Sequence, residues 1–152
     1  LSLSKMMRYM LYESEQGNTR LSREIEFMKG YIDLMKLRLS DRVRLTVSFP
    51  EDYADQDVPP LLFIPFIENA FKHGVSAAGS SFIDIAFGVD EGMITFIAAN
   101  SIGGKGSEGP QAASGIGLDN VRKRLALLYP GRHDLRIDRQ ESAFTVKLTV
   151  RS

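Results

Sequence analysis

The sequence predicts an α/β (α+β) domain in which helices cover one face of a β-sheet as a two-layer sandwich, with a helical extension at the N-terminus. Segments of alternating apolar and polar residues, typical of half-buried strands, begin near residues 43, 83, 93, 135 and 144. Segments whose apolar residues recur every three or four positions, typical of amphipathic helices, lie near residues 3, 21, 65 and 118. We therefore expect helical residues at 1–40 and a layered domain at 41–152.

Length and composition limit the possible classes of protein. The chain has 152 residues, with 19 basic and 19 acidic side chains and no cysteine. A chain of this length buries about two-thirds of its unfolded surface, so it can form its own core. The charge balance gives no reason to expect nucleic acid or an anionic membrane as a partner, and disulfide or thiolate chemistry is excluded. The chain begins with leucine, and we expect it to be part of a longer protein.

The N-terminal 40 residues are predicted to form two helices. The first lies within residues 1–16, and residues 17–19 interrupt its pattern. The second contains a heptad seam and has Ser22 as a candidate N-cap and Glu24 in its first turn. The seam consists of Leu21, Ile25, Met28, Ile32, Met35 and Leu39. Two interpretations are open, since periodicity does not separate half of a dimer's helical bundle from a stripe that packs on the chain's own sheet.

The segment 61–74 is predicted to carry functional side chains, after a loop at 55–60. If Pro65 lies in the first turn of a helix, the following residues divide into two stripes. The apolar stripe consists of Phe66, Ile67, Ala70 and Phe71, and the polar one of Glu68, Asn69, Lys72 and His73. A carboxylate, a carboxamide, an ammonium and an imidazole would thus share one helix surface. Taken alone, this stripe is equally consistent with a merely solvated face.

A glycine pair, Gly115 and Gly117, opens a second helical segment. Glycines let backbone N–H groups approach an anion closely, and the N-terminus of the following helix favours negative charge. A tight turn would need the same residues, so the pair alone is weak support for a site. The pair and the polar stripe together are far more specific.

These two segments resemble the ATP-binding domain of sensor histidine kinases of the LytS-type branch, in the GHKL superfamily. The matching stretches are Pro-Phe-Ile-Glu-Asn-Ala-Phe-Lys-His-Gly (65–74) and Gly-Ile-Gly-Leu-Asp-Asn-Val-Arg-Lys-Arg-Leu (115–125), the latter followed by Leu-Tyr-Pro-Gly (128–131). Residues 9–12 and 31–38 resemble that branch's dimerisation segment. The resemblance covers nearly the whole chain and implies a Bergerat-type fold, with a mixed, mostly antiparallel sheet covered on one face by helices.

The resemblance implies ATP and Mg²⁺ as cofactors and assigns roles to the residues of the first motif. It places Asn69 between Mg²⁺ and the triphosphate, which suits a metal that takes few protein oxygens beside phosphate. It places Lys72 near phosphate and His73 at the ribose or the adenine edge. An asparagine, Asn100, stands where the family usually has the aspartate that accepts the adenine amino proton, so we expect weaker adenine selectivity.

The second motif has corresponding roles. The resemblance places the backbone of Gly115, Gly117 and Leu118 at the phosphates. For Arg122 and Arg124 two interpretations stay open, either phosphate contact or ordinary solvated charge. Residues 101–114 are poor in apolar residues and resemble the lid that closes over ATP in these kinases.

Glu68 is the second expected catalytic residue beside Asn69. Related chaperone and topoisomerase ATPases have a water-activating carboxylate one turn before the asparagine, where this chain has Pro65. We therefore expect transfer to another nucleophile rather than fast hydrolysis. Glu68 would then orient Asn69, Lys72 or the incoming histidine, or simply pair with Lys72.

The resemblance implies a histidine kinase that transfers the γ-phosphoryl of MgATP to a histidine and then to an aspartate of a response regulator. The family's Asn-Pro-His-Phe-type acceptor stretch is absent from these 152 residues, His73 belongs to the nucleotide motif, and His133 is expected on the surface. We therefore expect no autophosphorylation by this chain alone. The full-length protein would be a homodimer, with this part forming the cytoplasmic domain of a membrane-anchored bacterial sensor.

Two other functions compete with this interpretation. One is a serine kinase that also acts as a protein-binding regulator, as in anti-sigma factors of the same superfamily, although such regulators need no heptad helix like that at 21–39. The other is a non-catalytic dimerisation module with a degenerate nucleotide site, which the asparagine at position 100 permits.

Overall fold

The computed structural model describes residues 2–12, 15, 17–74, 81–102 and 116–152. Within these residues the helices are α1 (Leu3–Tyr12), α2 (Leu21–Lys36), α3 (Ile64–Gly74) and α4 (Ile116–Leu128). The strands are β1 (Thr19–Arg20), β2 (Val43–Ser48), β3 (Asp57–Val58), β4 (Ser81–Asp90), β5 (Met93–Ser101), β6 (His133–Arg139) and β7 (Ala143–Arg151). Every described helix is too short or too polar to cross a membrane.

The main sheet has five strands in the order β2-β4-β5-β7-β6. Strand β2 runs parallel to β4, and the other neighbours are antiparallel. The β4–β5 hairpin turns at Glu91 and Gly92, whose φ angles of 46° and 78° are those of the turn that matches strand twist. The sheet is therefore mixed and mostly antiparallel, and the predicted fold class is confirmed.

Helix α3 packs on β4 and β5 through aromatic side chains that the alternating strand pattern turns toward the helix layer. Phe63, just before α3, contacts Phe87 of β4 at 5.0 Å and Phe96 of β5 at 5.3 Å between ring centroids. Phe66 contacts Phe96 at 5.9 Å. Offset and edge contacts of this kind stabilise a core beyond the burial of the rings alone. This cluster holds α3, and hence its polar stripe, at a fixed height above the sheet.

The heptad seam of α2 is buried in the chain's own core. Leu21, Ile25, Met28 and Ile32 are at most 3% exposed, and Met35 and Leu39 pack against the same cluster. The interpretation in which the stripe packs within the chain is therefore the one that the structure supports. The main helix contacts of α2 are with α1 and α3. That interpretation had placed the stripe on the sheet, whereas the structure places it chiefly against helices.

The start of α2 differs from expectation. The residue before the helix is Arg20, and Ser22 does not cap it. Instead the Asp55 carboxylate accepts hydrogen bonds from the Ser22 N–H at 3.0 Å and the Ser22 hydroxyl at 2.8 Å. Asp55 is brought there because β1 pairs with β3, in segments predicted as turn and loop. A carboxylate distant in sequence thus satisfies the helix N-terminus, which local pattern does not reveal.

Candidate functional site

The candidate site is organised by α3, which begins at Ile64 with Pro65 in its first turn, as predicted. Its predicted apolar stripe is buried, and the polar stripe points away from the sheet. Glu68 and Lys72 are exposed, whereas Asn69 and His73 are half-buried. The two pairs therefore meet different surroundings.

The polar stripe divides between the two sides of α3. Glu68 and Lys72 border a cleft of about 450 Å³ between α2 and α3, whose other lining residues are Tyr31, Met35, Arg38, Leu39 and Phe71. Burial raises the pKa of Tyr31, and the charge of Glu68 adds to that effect. Among the ion pairs between described residues there is none joining Glu68 to Lys72, so the predicted alternative of a simple i,i+4 pair is not formed.

His73 lies on the other side of α3, where the charge of Arg139 in β6 reaches it. Burial lowers its pKa, and the charges of Lys72 and of Arg139 in β6 lower it further. These effects favour the neutral form of the ring over the protonated form. Its Nε2 atom is buried and has no hydrogen-bond partner among the described residues. A buried, unpaired nitrogen is costly, and a ligand that bonds to it would remove that cost.

Asn100 lies at the end of β5, directly beneath the C-terminal end of α3. It is 1% exposed, and its Nδ2 donates to the Ser101 carbonyl at 2.9 Å. A Cβ added at Gly74 would lie 3.3 Å from the Asn100 Cβ. Only the absent side chain at Gly74 lets α3 approach β5 so closely. The structure thus brings Asn100 beside the motif that contains Asn69 and His73.

The N-terminus of α4 supplies Gly117 and Leu118, while Gly115 and residues 103–114 of the lid segment lie outside the described residues. Leu118 is buried at 8% exposure and anchors the helix start to the core. Gly117 is exposed, and an added Cβ would meet no described atom within 4 Å. The described part of the fold therefore does not need a glycine at position 117, which favours a ligand as the reason for it.

The two arginines of α4 have different environments. Arg122 is exposed. Arg124 is half-buried, and its Nη2 donates to the backbone carbonyl of Pro60. Burial lowers the pKa of Arg124, and the charge of Glu24 opposes this. Arg124 is thus not an ordinary solvated charge but is engaged in the contact between α4 and the segment before α3.

Two further residues, His133 and Glu24, are more buried than their sequence patterns suggest. His133 is half-buried rather than on the surface, with its Nδ1 2.7 Å from the Tyr129 carbonyl oxygen. Glu24 lies in the first turn of α2, as predicted, and is fully buried there. The pattern contained a signal for Glu24, because it lies three residues after Leu21 and four before Met28, on the apolar stripe of α2.

Within the described part of the chain there is no group of three or more His, Cys, Asp or Glu residues that could hold a metal ion. A magnesium ion bound with a nucleotide needs no such group, because it keeps waters and phosphate oxygens as most of its ligands. The side-chain oxygen of Asn69 fits that limited requirement.

The chain has relatives among the sensor kinases. The family model described as Histidine kinase matches residues 1–43. The chain is 21% identical to the sensor protein LytS of Oceanobacillus iheyensis over 99% of its own length and 28% of the relative. It is 25% identical to the sensor histidine kinase BtsS of Escherichia coli over 86% of its length and 23% of the relative. It therefore spans about a quarter of the length of these relatives.

Solved structures share the fold. The histidine kinase domain of the Erythrobacter litoralis EL346 blue-light activated kinase superposes with a TM-score of 0.58 at 16% identity, covering 89% of this chain and 68% of that one. The catalytic domain of the histidine kinase ThkA superposes with a TM-score of 0.54 at 13% identity, covering 99% and 92%. The chain is thus similar in sequence to sensor kinases that include LytS, and its fold is similar to that of histidine kinase catalytic domains.

Proposed function

We propose that the chain is the ATP-binding catalytic domain of a two-component sensor histidine kinase, and that MgATP binds between α3 and α4. The observation that carries the proposal is the buried Nε2 of His73, which has no hydrogen-bond partner among the described residues, at the end of a helix whose last residue, Gly74, packs against Asn100. In support, full-length ShkA, solved in complex with AMPPNP, has a similar fold over 81% of this chain, with a TM-score of 0.51 at 12% identity.

The residues around the proposed site suit ATP and Mg²⁺ as ligands. Asn69 would give one oxygen to Mg²⁺, and Gly117, without a side chain, would let phosphate reach the start of α4. His73 would bond the ribose or the adenine edge, and Asn100 the adenine amino group. Arg122, which is exposed on α4, would neutralise phosphate charge, whereas Lys72 borders the cleft between α2 and α3 on the other side of the helix. Bound Mg²⁺ would neutralise charge on the phosphates, which is most of what phosphoryl transfer requires of its surroundings.

We propose a histidine as the acceptor of the γ-phosphoryl group, followed by an aspartate of a response regulator. With Pro65 in the first turn of α3, no carboxylate occupies the position that activates water in related ATPases. Glu68 is exposed on the same helix as Asn69 and forms none of the ion pairs between described residues. Its carboxylate would accept a hydrogen bond from the incoming imidazole and orient it.

We further propose that the full-length protein is a homodimer and that α1 contributes its interface. Met6 of α1 packs inward, but Leu3, Met7, Met10 and Leu11 are between 43% and 63% exposed. The steps of four and three from Leu3 to Met7 to Met10 form a second seam, and the buried seam of α2 cannot serve this purpose. The chain would lie on the cytoplasmic side of a membrane-anchored sensor.

Calorimetric titration tests the nucleotide site. The chain is titrated with ADP and with a non-hydrolysable ATP analogue, each with and without Mg²⁺, beside Asn69→Ala and the control Asn18→Ala, which changes an exposed asparagine just before β1. We expect magnesium-dependent binding that is lost only in Asn69→Ala. Equal binding by both variants would refute the role of Asn69.

A transfer assay separates the alternatives. Radiolabelled ATP is supplied with a peptide containing an acceptor histidine, and the phosphorylated residue is identified by its stability in acid. Acid-labile label on the histidine supports the proposal. Acid-stable phosphoserine would instead indicate the anti-sigma type of kinase, and absence of nucleotide binding would indicate a non-catalytic dimerisation module.

A further inference from the structure

One peptide group is held at both ends by opposite charges from two helices. The carbonyl oxygen of Pro60 accepts a hydrogen bond from Arg124 of α4, and the N–H of Leu61 donates to Glu24 Oε1 of α2 at 2.9 Å. These two groups belong to the same peptide unit, which we call the clamped peptide. A guanidinium and a carboxylate thus fix its plane, and charged partners make such hydrogen bonds stronger than neutral ones.

The clamped peptide holds an unfavourable backbone conformation. Leu61 has a φ of 60°, in the left-handed region that a leucine rarely adopts. Helix α3 begins three residues later at Ile64 and carries Asn69. Strain of this kind persists only where surrounding contacts enforce it. The direction in which the chain enters α3 therefore depends on the hydrogen bonds of the clamped peptide.

Helix α1 reaches the same carboxylate. Glu24 is fully buried, and its Oε1 also accepts a hydrogen bond from the hydroxyl of Tyr9 in α1. The Tyr9 ring stacks on Phe27 of α2 with 4.7 Å between centroids, so the hydroxyl is held in place by its ring. One carboxylate therefore bonds α1 and the segment that leads into α3, while Arg124 ties α4 to the other end of the same peptide.

We propose that the clamped peptide couples the position of α1 to the nucleotide cleft between α3 and α4. A movement of α1 that withdraws Tyr9 weakens the hold of Glu24 on Leu61, which relaxes out of the left-handed region and changes the entry to α3. Coupling of this kind is reciprocal, so a bound nucleotide also stabilises the packing of α1. The inference rests on the proposed function, since it assumes that the ligand in this cleft is a nucleotide.

Tyr9→Phe is the decisive variant, because it removes only the hydroxyl and keeps the stacked ring. Its matched control is Tyr12→Phe, at an exposed tyrosine on the same helix. We expect Tyr9→Phe to weaken binding of the magnesium-bound ATP analogue about tenfold and to speed amide hydrogen exchange at Leu61, with no change in the control. Glu24→Gln, with the exposed Glu26→Gln as its control, should have a larger effect on both.

The two measurements separate this inference from the proposed function. Binding that depends on Asn69 but is unchanged in a folded Tyr9→Phe would overturn the coupling and leave the proposed function intact. Absence of binding by the unaltered chain would overturn the proposed function. An unchanged exchange rate at Leu61 in Tyr9→Phe would overturn the coupling whether or not nucleotide binds. If Glu24→Gln fails to fold, the Tyr9→Phe variant alone tests the coupling.

Discussion

Gly74→Ala tests how closely α3 must approach the sheet to form the site. An added Cβ would lie 2.5 Å from Ile83 Cγ1 and 3.3 Å from Asn100 Cβ, whereas carbon atoms in contact are normally about 3.5–4.0 Å apart. The first atom is close to the backbone of β4 and cannot move aside without shifting the strand or the helix. The end of α3 must therefore lift from the sheet, carrying His73 away from its present position.

The expected loss of stability in Gly74→Ala is the difference between two opposing effects. Overpacking of a well-packed core costs about 1–3 kcal/mol. Replacing glycine by alanine in a helix returns at most about 1 kcal/mol, and less at the last residue of the helix. The net destabilisation is about 1–2 kcal/mol, which for a chain of this size lowers Tm by roughly 3–8 °C. The backbone at Gly74 does not have a positive φ, so this cost comes from contact alone.

The assay is thermal unfolding followed by circular dichroism, with nucleotide affinity measured on the same samples. The matched control is Gly88→Ala in β4, where an added Cβ meets no described atom within 4 Å. We expect the control to be unchanged or slightly more stable, because glycine weakens a strand interior. Equal Tm values for the two variants would refute the close approach of α3 to β4 and β5.

Three further predictions concern the ligand side of the site and the clamped peptide. Because burial makes the pKa of His73 lower in the folded chain than its ordinary value of 6.5, the unfolded chain binds the proton more readily. The stability contributed by the neutral His73 ring is therefore complete above pH 6.5 and is lost as the pH falls below that value. The free energy of urea unfolding should decline from pH 7.5 to 5, and the decline should be smaller in His73→Gln. Gly117→Ala should raise stability by about 0.4–1 kcal/mol in thermal unfolding, yet weaken binding of the ATP analogue about tenfold, or ~1.4 kcal/mol. Leu61→Gly should be more stable than Leu61→Ala by roughly 0.5–1 kcal/mol in urea unfolding, because only glycine tolerates a φ of 60° without strain.

Each of these predictions has an outcome that contradicts it. A pH dependence that is identical with and without His73 would mean that the ring is not buried in the folded chain. Unchanged affinity in Gly117→Ala would remove the close approach of a phosphate as the reason for that glycine. A Leu61→Ala variant as stable as Leu61→Gly would show that the left-handed conformation is not strained or is not retained.

Much of the fold was predictable because it follows from short-range patterns. Alternation along the chain located the strands of the main sheet, and Glu91-Gly92 located a hairpin turn, since both depend on side-chain period and on local backbone preference. The start of α3 at Ile64, with Pro65 in its first turn, was predictable for the same reason. The boundary between 1–40 and 41–152 and the roles of the individual site residues stay predictions.

The sequence analysis failed where contacts between distant segments determine the structure. Ser22 was a candidate N-cap of α2, but pairing of β1 with β3 brings Asp55 to that helix end. A heptad seam states only that one face of α2 is buried, and not what buries it. The fold covers that face with α1 and α3, and leaves a different apolar face, on α1, exposed.

The sequence by itself determined the helices, the strands of the main sheet, the layered architecture and the two motifs that resemble a nucleotide site, because these depend on neighbouring residues and on spacing along the chain. The tertiary structure decided which side of α3 each polar residue faces, and it joined Glu24, Arg124 and the Pro60–Leu61 peptide into one cluster. Those partners are 37 and 64 residues apart in sequence. A buried carboxylate is tolerated only where the folded chain surrounds it with donors, and no local pattern specifies where those donors will be.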